Sequence, residues 1–244
     1  MVGCRTESWE ALGTTVLLRT YSERAADVRD AVGRELDAID RALDRLNGRR
    51  ALSLAPSALR FAIAAALVAG AGIDPALRER PADPACDDIR LDFDATVQAM
   101  ATDRAAQVGE SVRGDAVLVA LGGDIATRGS PPSGWWTVRS VDAADRSAEW
   151  TVSMRSGGVA TSRLDPRLRA LDQPLWLTAS VATGSCVEAK VAAAAVLGLG
   201  VRALAWLDEH RLAARLVARD RTVVTLGGWP DAPMRTGPIP GSRW

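Results

Sequence analysis

Apolar side chains recur at Val28, Val32, Leu36, Ile39, Leu43 and Leu46, three and four residues apart, so residues 25–46 predict an amphipathic helix with a face of Arg, Asp and Glu. Ser22 stands where an N-cap is wanted, and Asn47-Gly48 where a helix stops. Before that helix the period drops to two. Thr15, Leu17 and Arg19 alternate with Val16, Leu18 and Thr20, which predicts a first strand within residues 9–20, entered through Gly13. A second helix fits residues 56–68, and residues 76–88, polar with two prolines, read as a surface connection. Residues 92–107 (DFDATVQAMATDRAAQ) begin as a strand end and become a helix. Residues 116–121 form a strand stopped by Gly122-Gly123-Asp124, residues 128–134 a loop, residues 135–141 and 149–155 a hairpin, and VATS at 159–162 a short strand. Residues 176–183 alternate as a strand, 185–197 form an alanine-rich helix and 201–209 another, and 213–217 and 221–226 are two last strands before a Pro/Gly tail. Strands outnumber simple βαβ units. The predicted class is therefore α+β, mainly antiparallel sheet with flanking helices.

Composition narrows the functional classes. The 244 residues suit one large domain or two small ones, and 48% hydrophobic with 25% charged residues is enough for a core and far from a disordered profile. Thirty basic residues balance thirty acidic ones, so neither nucleic acid nor an anionic membrane is an expected partner. The longest uncharged apolar runs, residues 61–73 and 191–201, fall short of the roughly 20 residues that cross a bilayer, and the N-terminus has no apolar signal region. A cytoplasmic protein without a membrane span is expected. Cys4, Cys86 and Cys186 are odd in number and far apart, which points to free thiols. His210 is the sole histidine, so a multi-histidine metal centre is excluded; at a helix end in WLDEHR it is expected to be exposed. All but one of the basic residues are arginine. The exception is Lys190.

Two glycine pairs carry the local chemistry. LGGDI at residues 121–125 follows an apolar strand and sets Gly122 and Gly123, whose backbone N–H groups could approach phosphates, beside the carboxylate of Asp124; the same letters also make an ordinary turn. GGVATS at residues 157–162 places the hydroxyls of Thr161 and Ser162 after a second pair. Asp92, Asp94 and Asp103 form an acidic group near a helix start, where the helix dipole favours them in any case. Trp135-Trp136 suits packing. The chain has no GxGxxG, Walker loop, HExxH or GxSxG.

Taken in order, these motifs resemble those of the FAD:protein FMN transferases, the ApbE-like flavin transferases, in their short cytoplasmic actinobacterial form. The family opens with ALGT, found at residues 11–14; it carries a stretch like DLGATAKAWAADRAA, matched at 92–106, then LGGDI at 121–125 and GG-hydrophobic-ATS at 157–162. A C-terminal pattern of Cys-Val-x-Ala-Asn/Asp followed by Thr is echoed by Cys186-Val187-Glu188-Ala189-Lys190, and WL, ARLV and GGWP complete the match at 206–207, 214–217 and 227–230. The resemblance implies a T-fold-like domain over residues 1–230, with room for two intertwined subdomains, and a flexible tail at 231–244. It also implies FAD as substrate or ligand, magnesium on its pyrophosphate, and transfer of FMN to a Thr or Ser hydroxyl of a target protein with release of AMP. The positions it assigns to flavin binding are Thr14, Asp92, Gln98, Asp103, Gly122, Gly123, Asp124, Thr161 and Ser162; its catalytic positions are Gln98, Asp103 and Asp165.

The departures from the family pattern fall on this machinery. The family lysine is Gln98, the glycine before it is Asp94, the metal-binding carboxylate or amide is Lys190, and its partner threonine is Ala194. Of a His-DPxTG motif only Asp165-Pro166-Arg167 persists, and a serine-rich loop is shortened to residues 47–54. Two functions are thus implied: an active transferase that finds another metal carboxylate such as Asp94 or Glu188, or a silent relative that holds a flavin, a nucleotide or a partner. A hydrolase using Asp103 or Ser162 is a third class, with little support from a lone histidine. An ammonium at position 190 could neutralise a pyrophosphate without metal, though it cannot replace two metal charges; the plainer account is a lysine running from its helix to solvent.

Overall fold

In the computed structural model, which describes residues 3–47, 88–112, 114–141, 149–163 and 175–229, the alternating N-terminal segment is a hairpin rather than one strand. Strand β1 (Arg5–Ala11) turns at Leu12-Gly13 and returns as β2 (Thr14–Thr20), with Ala11 opposite Thr14. The sequence pattern misses β1 because this edge strand is mostly exposed and carries Arg5, Glu7 and Glu10 instead of an apolar face. Charges along an edge also discourage pairing with another chain. Helix α1 (Ala25–Asn47) follows as expected, with Ser22 Oγ accepting the Arg24 N–H at 3.1 Å.

Helix α2 (Asp88–Ser111) is helical from its first residue, so the expected strand end at 92 does not exist. Its Ala99, Ala101, Ala105 and Ala106 are buried, and small side chains are what let it sit closely between α1 and the sheet. Strands β3 (Val117–Leu121) and β4 (Asp124–Arg128) are joined by Gly122-Gly123; the expected loop at 128 is preceded by this unexpected strand. The hairpin β5 (Trp136–Val141) and β6 (Glu149–Met154) forms as expected. Strand β7 (Gly157–Arg163) is longer than VATS alone, since both glycines belong to it. Strand β8 (Trp176–Thr183), helix α3 (Cys186–Leu199), a 3-10 turn (Gly200–Arg202), helix α4 (Ala203–Glu209), and strands β9 (Ala213–Ala218) and β10 (Val223–Leu226) complete the order. The expected second helix at 56–68, the connection at 76–88 up to residue 87, and the tail at 231–244 lie outside the described residues, and residue 88 opens α2 instead of ending a connection.

Eight strands form one antiparallel sheet in the order β1-β2-β3-β4-β7-β8-β9-β10, so the expected α+β class is what the chain adopts. Alternate residues sort onto its faces. Val16, Leu18, Val117, Val119, Leu121, Ala126 and Ala160 pack with α1, α2 and the start of α3, while Leu118, Ile125, Val159 and Ala182 pack with the hairpin β5–β6 and its Trp136 and Trp150. A third cluster joins α3 and α4 to β8 and β9 through Val181, Val196, Leu207 and Leu216. Residues 186–209 are long and apolar enough to cross a membrane by composition, but Ala189, Ala192, Ala193 and Val196 are buried and the 3-10 turn interrupts the segment. Cys186 is a buried free thiol and Cys4 an exposed one; His210 is exposed, its Nδ1 2.8 Å from the Trp206 carbonyl.

Candidate functional site

Helix α3 begins where the N–H groups of Ser185 to Glu188 lack helical partners, and protein oxygens accept all four, the first through Thr183 Oγ1 at 3.4 Å. Asp103 reaches across from α2: its Oδ1 accepts the Cys186 N–H at 2.9 Å and its Oδ2 the Val187 N–H at 3.0 Å. Ser185 Oγ accepts the Glu188 N–H at 3.2 Å, the N-cap bond that the S-x-x-E order of 185–188 encodes. Burial pushes the Asp103 carboxyl above its ordinary value, while the two N–H groups and, at longer range, Arg128 pull it back. With both oxygens engaged on α3, Asp103 holds this helix rather than presenting an open carboxylate.

The helix sits hard against β7. A Cβ on Gly158 would fall 2.1 Å from the Cys186 nitrogen, and one on Gly157, whose φ is +130°, would fall 2.5 Å from the Thr183 oxygen. Only glycine permits this approach. One turn further along α3, Lys190 is carried over the strand ends. Its Nζ donates to Asp124 Oδ1 at 3.1 Å and to the Thr161 carbonyl at 3.0 Å, and its side chain is 13% exposed. A lysine running out to solvent is therefore not what the fold contains. Asp124 lies at the start of β4 with its side chain 1% exposed, and its Oδ2 is buried with no hydrogen-bond partner. Burial raises the Asp124 carboxyl from its ordinary value; the Lys190 charge and hydrogen bond oppose that rise.

Beside this pair is the β3–β4 turn. Gly122 adopts φ +57°, and a Cβ there would lie 3.1 Å from Gln98 Nε2 and 3.3 Å from Thr14 Oγ1, so those two polar side chains border the turn. A Cβ on Gly123 would meet only Thr161 Cβ at 3.9 Å. Both glycines are exposed. Thr14, Gln98, Gly122, Gly123, Asp124 and Lys190 thus gather at one end of the sheet, together with the backbone of Thr161. The Thr161 hydroxyl is engaged elsewhere, 2.8 Å from Ser180 Oγ on the neighbouring strand, and Ser162 is buried next in line. Ser180 and Ser185 carry no signal that marks them as functional in the sequence; only their spacing from other site residues, such as Ser185 from Glu188, would have found them.

Other expected positions are not brought together here. Asp92 and Asp94 fall in the first turns of α2, with side chains outside the described residues, and Asp165 lies outside them altogether. Ala194 is exposed on α3 one turn beyond Lys190 and offers no donor; Glu188 is exposed. The Asp124 carboxylate and the Thr161 carbonyl are hard oxygens of the kind magnesium prefers, but an ammonium is already bonded to both. Among the described residues no three His, Cys, Asp or Glu side chains converge on one point. The donor set of the described residues does not fit a divalent cation.

Comparison with known proteins gives a consistent picture. The model of the ApbE family matches residues 23–216. A mutant form of the flavin transferase ApbE from Vibrio cholerae superposes with a TM-score of 0.71 at 13% identity, over 92% of this chain and 97% of that one. The ApbE protein from Thermotoga maritima gives 0.68 at 15% identity over 92% and 97%, and the flavinyl transferase ApbE from Pseudomonas stutzeri, apo form, gives 0.68 at 17% identity over 92% and 95%. At such identities the likeness is one of fold. No curated protein matches the chain in sequence.

Proposed function

Since the chain belongs to the ApbE family, we propose that it is FAD:protein FMN transferase-like and binds FAD at the sheet end formed by Thr14, Gln98, the Gly122-Gly123 turn and Lys190. The observation that carries this reading is the open turn. Gly123 has ordinary space around it and no positive φ, so nothing in the protein's own packing demands glycine there, whereas a diphosphate lying against backbone N–H groups does. Gln98 and Thr14 supply neutral donors beside the turn, and Lys190 supplies the positive charge.

In the transfer this family resemblance implies, the hydroxyl oxygen of a target Thr or Ser attacks the phosphorus of the FMN half. The bond from that phosphorus to the oxygen shared with AMP breaks, AMP leaves with that oxygen, and the hydroxyl proton is released to solvent. The work asked of a protein is positioning and the offsetting of negative charge on the phosphate oxygens. Lys190 brings one positive charge and Asp124 cancels it in the resting pair, so this chain is better equipped to hold FAD than to split it. A second reading, a relative that holds FAD without transferring FMN, is favoured by that pairing and by Ala194. The discriminating experiment incubates the full chain with FAD in magnesium chloride and in EDTA, follows co-eluting flavin absorbance, and separates AMP and FMN by chromatography. Release of AMP supports transfer; intact bound FAD supports the holding reading; no flavin bound in either buffer sinks both.

A further inference from the structure

We infer that Lys190 is this protein's resident cation for the FAD diphosphate, standing in the oxygen cradle that a divalent metal would use, so that FAD binding is independent of metal. The inference rests on the FAD-binding reading above. Its foundation is the set of partners that Lys190 has acquired. A lysine on an alanine-rich helix ordinarily lays its stem on the surface and keeps the ammonium in water. Here the ammonium turns inward to a carboxylate oxygen and a main-chain carbonyl, at 3.1 and 3.0 Å, which are hard oxygen donors. An ammonium carries three N–H groups. Two are spent on Asp124 and Thr161, and one is left for an oxygen of a ligand at the neighbouring Gly122-Gly123 turn.

Charge explains why a metal would not displace it. A divalent ion entering the cradle would have to meet the Lys190 ammonium within a few ångströms, or expel it from its ion pair with the buried Asp124. Expulsion leaves the lysine without its two acceptors. The lysine is also the sole one in the chain, where every other basic residue is arginine. A guanidinium is planar and broader, with its donors in a fixed fork, and does not substitute for a compact ammonium between two oxygens.

The test is FAD binding to the intact chain, read by titration calorimetry or flavin fluorescence, first in EDTA and then in excess magnesium chloride. The expected result is an affinity that agrees within about 3-fold in the two buffers, because no linked metal equilibrium contributes. FAD bound only with magnesium overturns this inference and leaves the FAD reading intact. Failure of FAD to bind in either buffer overturns the reading on which it rests. Lys190→Met is expected to weaken FAD by roughly 10-fold or more, the loss of one charge-assisted hydrogen bond and its charge. Unchanged affinity in a Lys190→Met protein that melts as a folded chain would refute the role of the ammonium. Restoring oxygen donors, with Lys190→Asp and Ala194→Thr together, is expected to make FAD binding rise with magnesium. The wild-type titrations in two buffers require no variant to fold.

Discussion

The two glycine pairs, Gly122-Gly123 and Gly157-Gly158, have the same letters, and each follows or opens a strand; their surroundings are opposite. At Gly158 the nearest atom to an added Cβ is the backbone nitrogen of Cys186 at 2.1 Å, and at Gly157 it is the Thr183 oxygen at 2.5 Å. At Gly122 the nearest is the tip of the Gln98 side chain, and at Gly123 nothing is closer than 3.9 Å. The Gly157-Gly158 pair is required by the chain's own packing, because α3 must touch β7 to bring Lys190 over Asp124. The Gly122-Gly123 pair is required only in part, by the positive φ of Gly122. A glycine that internal packing does not explain is the better marker of a ligand's approach.

The sharpest way to break this comparison is Gly158→Ala. The obstacle is main chain, so α3 must shift as a whole, and the expected cost is on the order of 3 kcal/mol or more, the upper end of overpacking effects. Chemical denaturation measures it directly. A cost under about 1 kcal/mol would mean that α3 does not press on β7 as described.

Next in size is Lys190→Met, which leaves the buried Asp124 carboxylate without its ammonium partner. Removing one partner of a buried pair costs about 3–5 kcal/mol, lessened here because Lys190 is 13% exposed and because the carboxyl can take up a proton. The pH dependence follows from the sign of the shift. Burial already raises Asp124 and the lysine lowers it, so losing Lys190 raises the folded-state value further. A raised carboxyl means that the native state keeps its proton longer than the unfolded chain. The stabilising effect is then fully present below the ordinary carboxyl value of about 4 and is lost as pH rises through the folded value. The melting temperature of Lys190→Met should therefore drop more steeply than that of wild type as pH rises above about 4. Adding Asp124→Asn removes the orphaned charge, and the double variant should recover most of the loss and show a flat profile.

The contrast between the two pairs also shows where sequence inspection stops. Helix α1 and strand β8 are legible because their sequence patterns are periodic: one stripe of α1 faces the core, and β8 alternates Thr178, Ser180 and Ala182 with Leu177, Ala179 and Val181, although the fold buries all eight of its residues. Strand β1 is not legible, being an edge whose partner β2 supplies the pairing, and β4 hides behind a glycine turn that also suits a loop. At the site, LGGDI and Lys190 can be picked out by residue type. Their meaning depends on contacts between distant segments: Asp103 capping a helix 83 residues away, and Lys190 bonded 66 residues back to Asp124. Such pairings leave no periodic trace. Asp103 illustrates the consequence, since its carboxylate reads as ligand chemistry in the sequence and is spent on the backbone of α3 in the fold.

The smallest structural effect belongs to the residue with the most to say about function. Gly123→Ala adds a methyl group in ordinary contact distance of Thr161, at no positive φ, so its cost in stability should stay within about 0.5 kcal/mol. If a diphosphate lies against the turn, that same methyl group stands between the backbone N–H groups and the phosphate oxygens, and FAD affinity should fall by roughly 10-fold or more. Comparing the melting temperature with the FAD titration separates the two effects in one variant. An alanine that leaves both unchanged would show that this turn is free of ligand as well as of packing, and would move the flavin away from the β3–β4 end of the sheet.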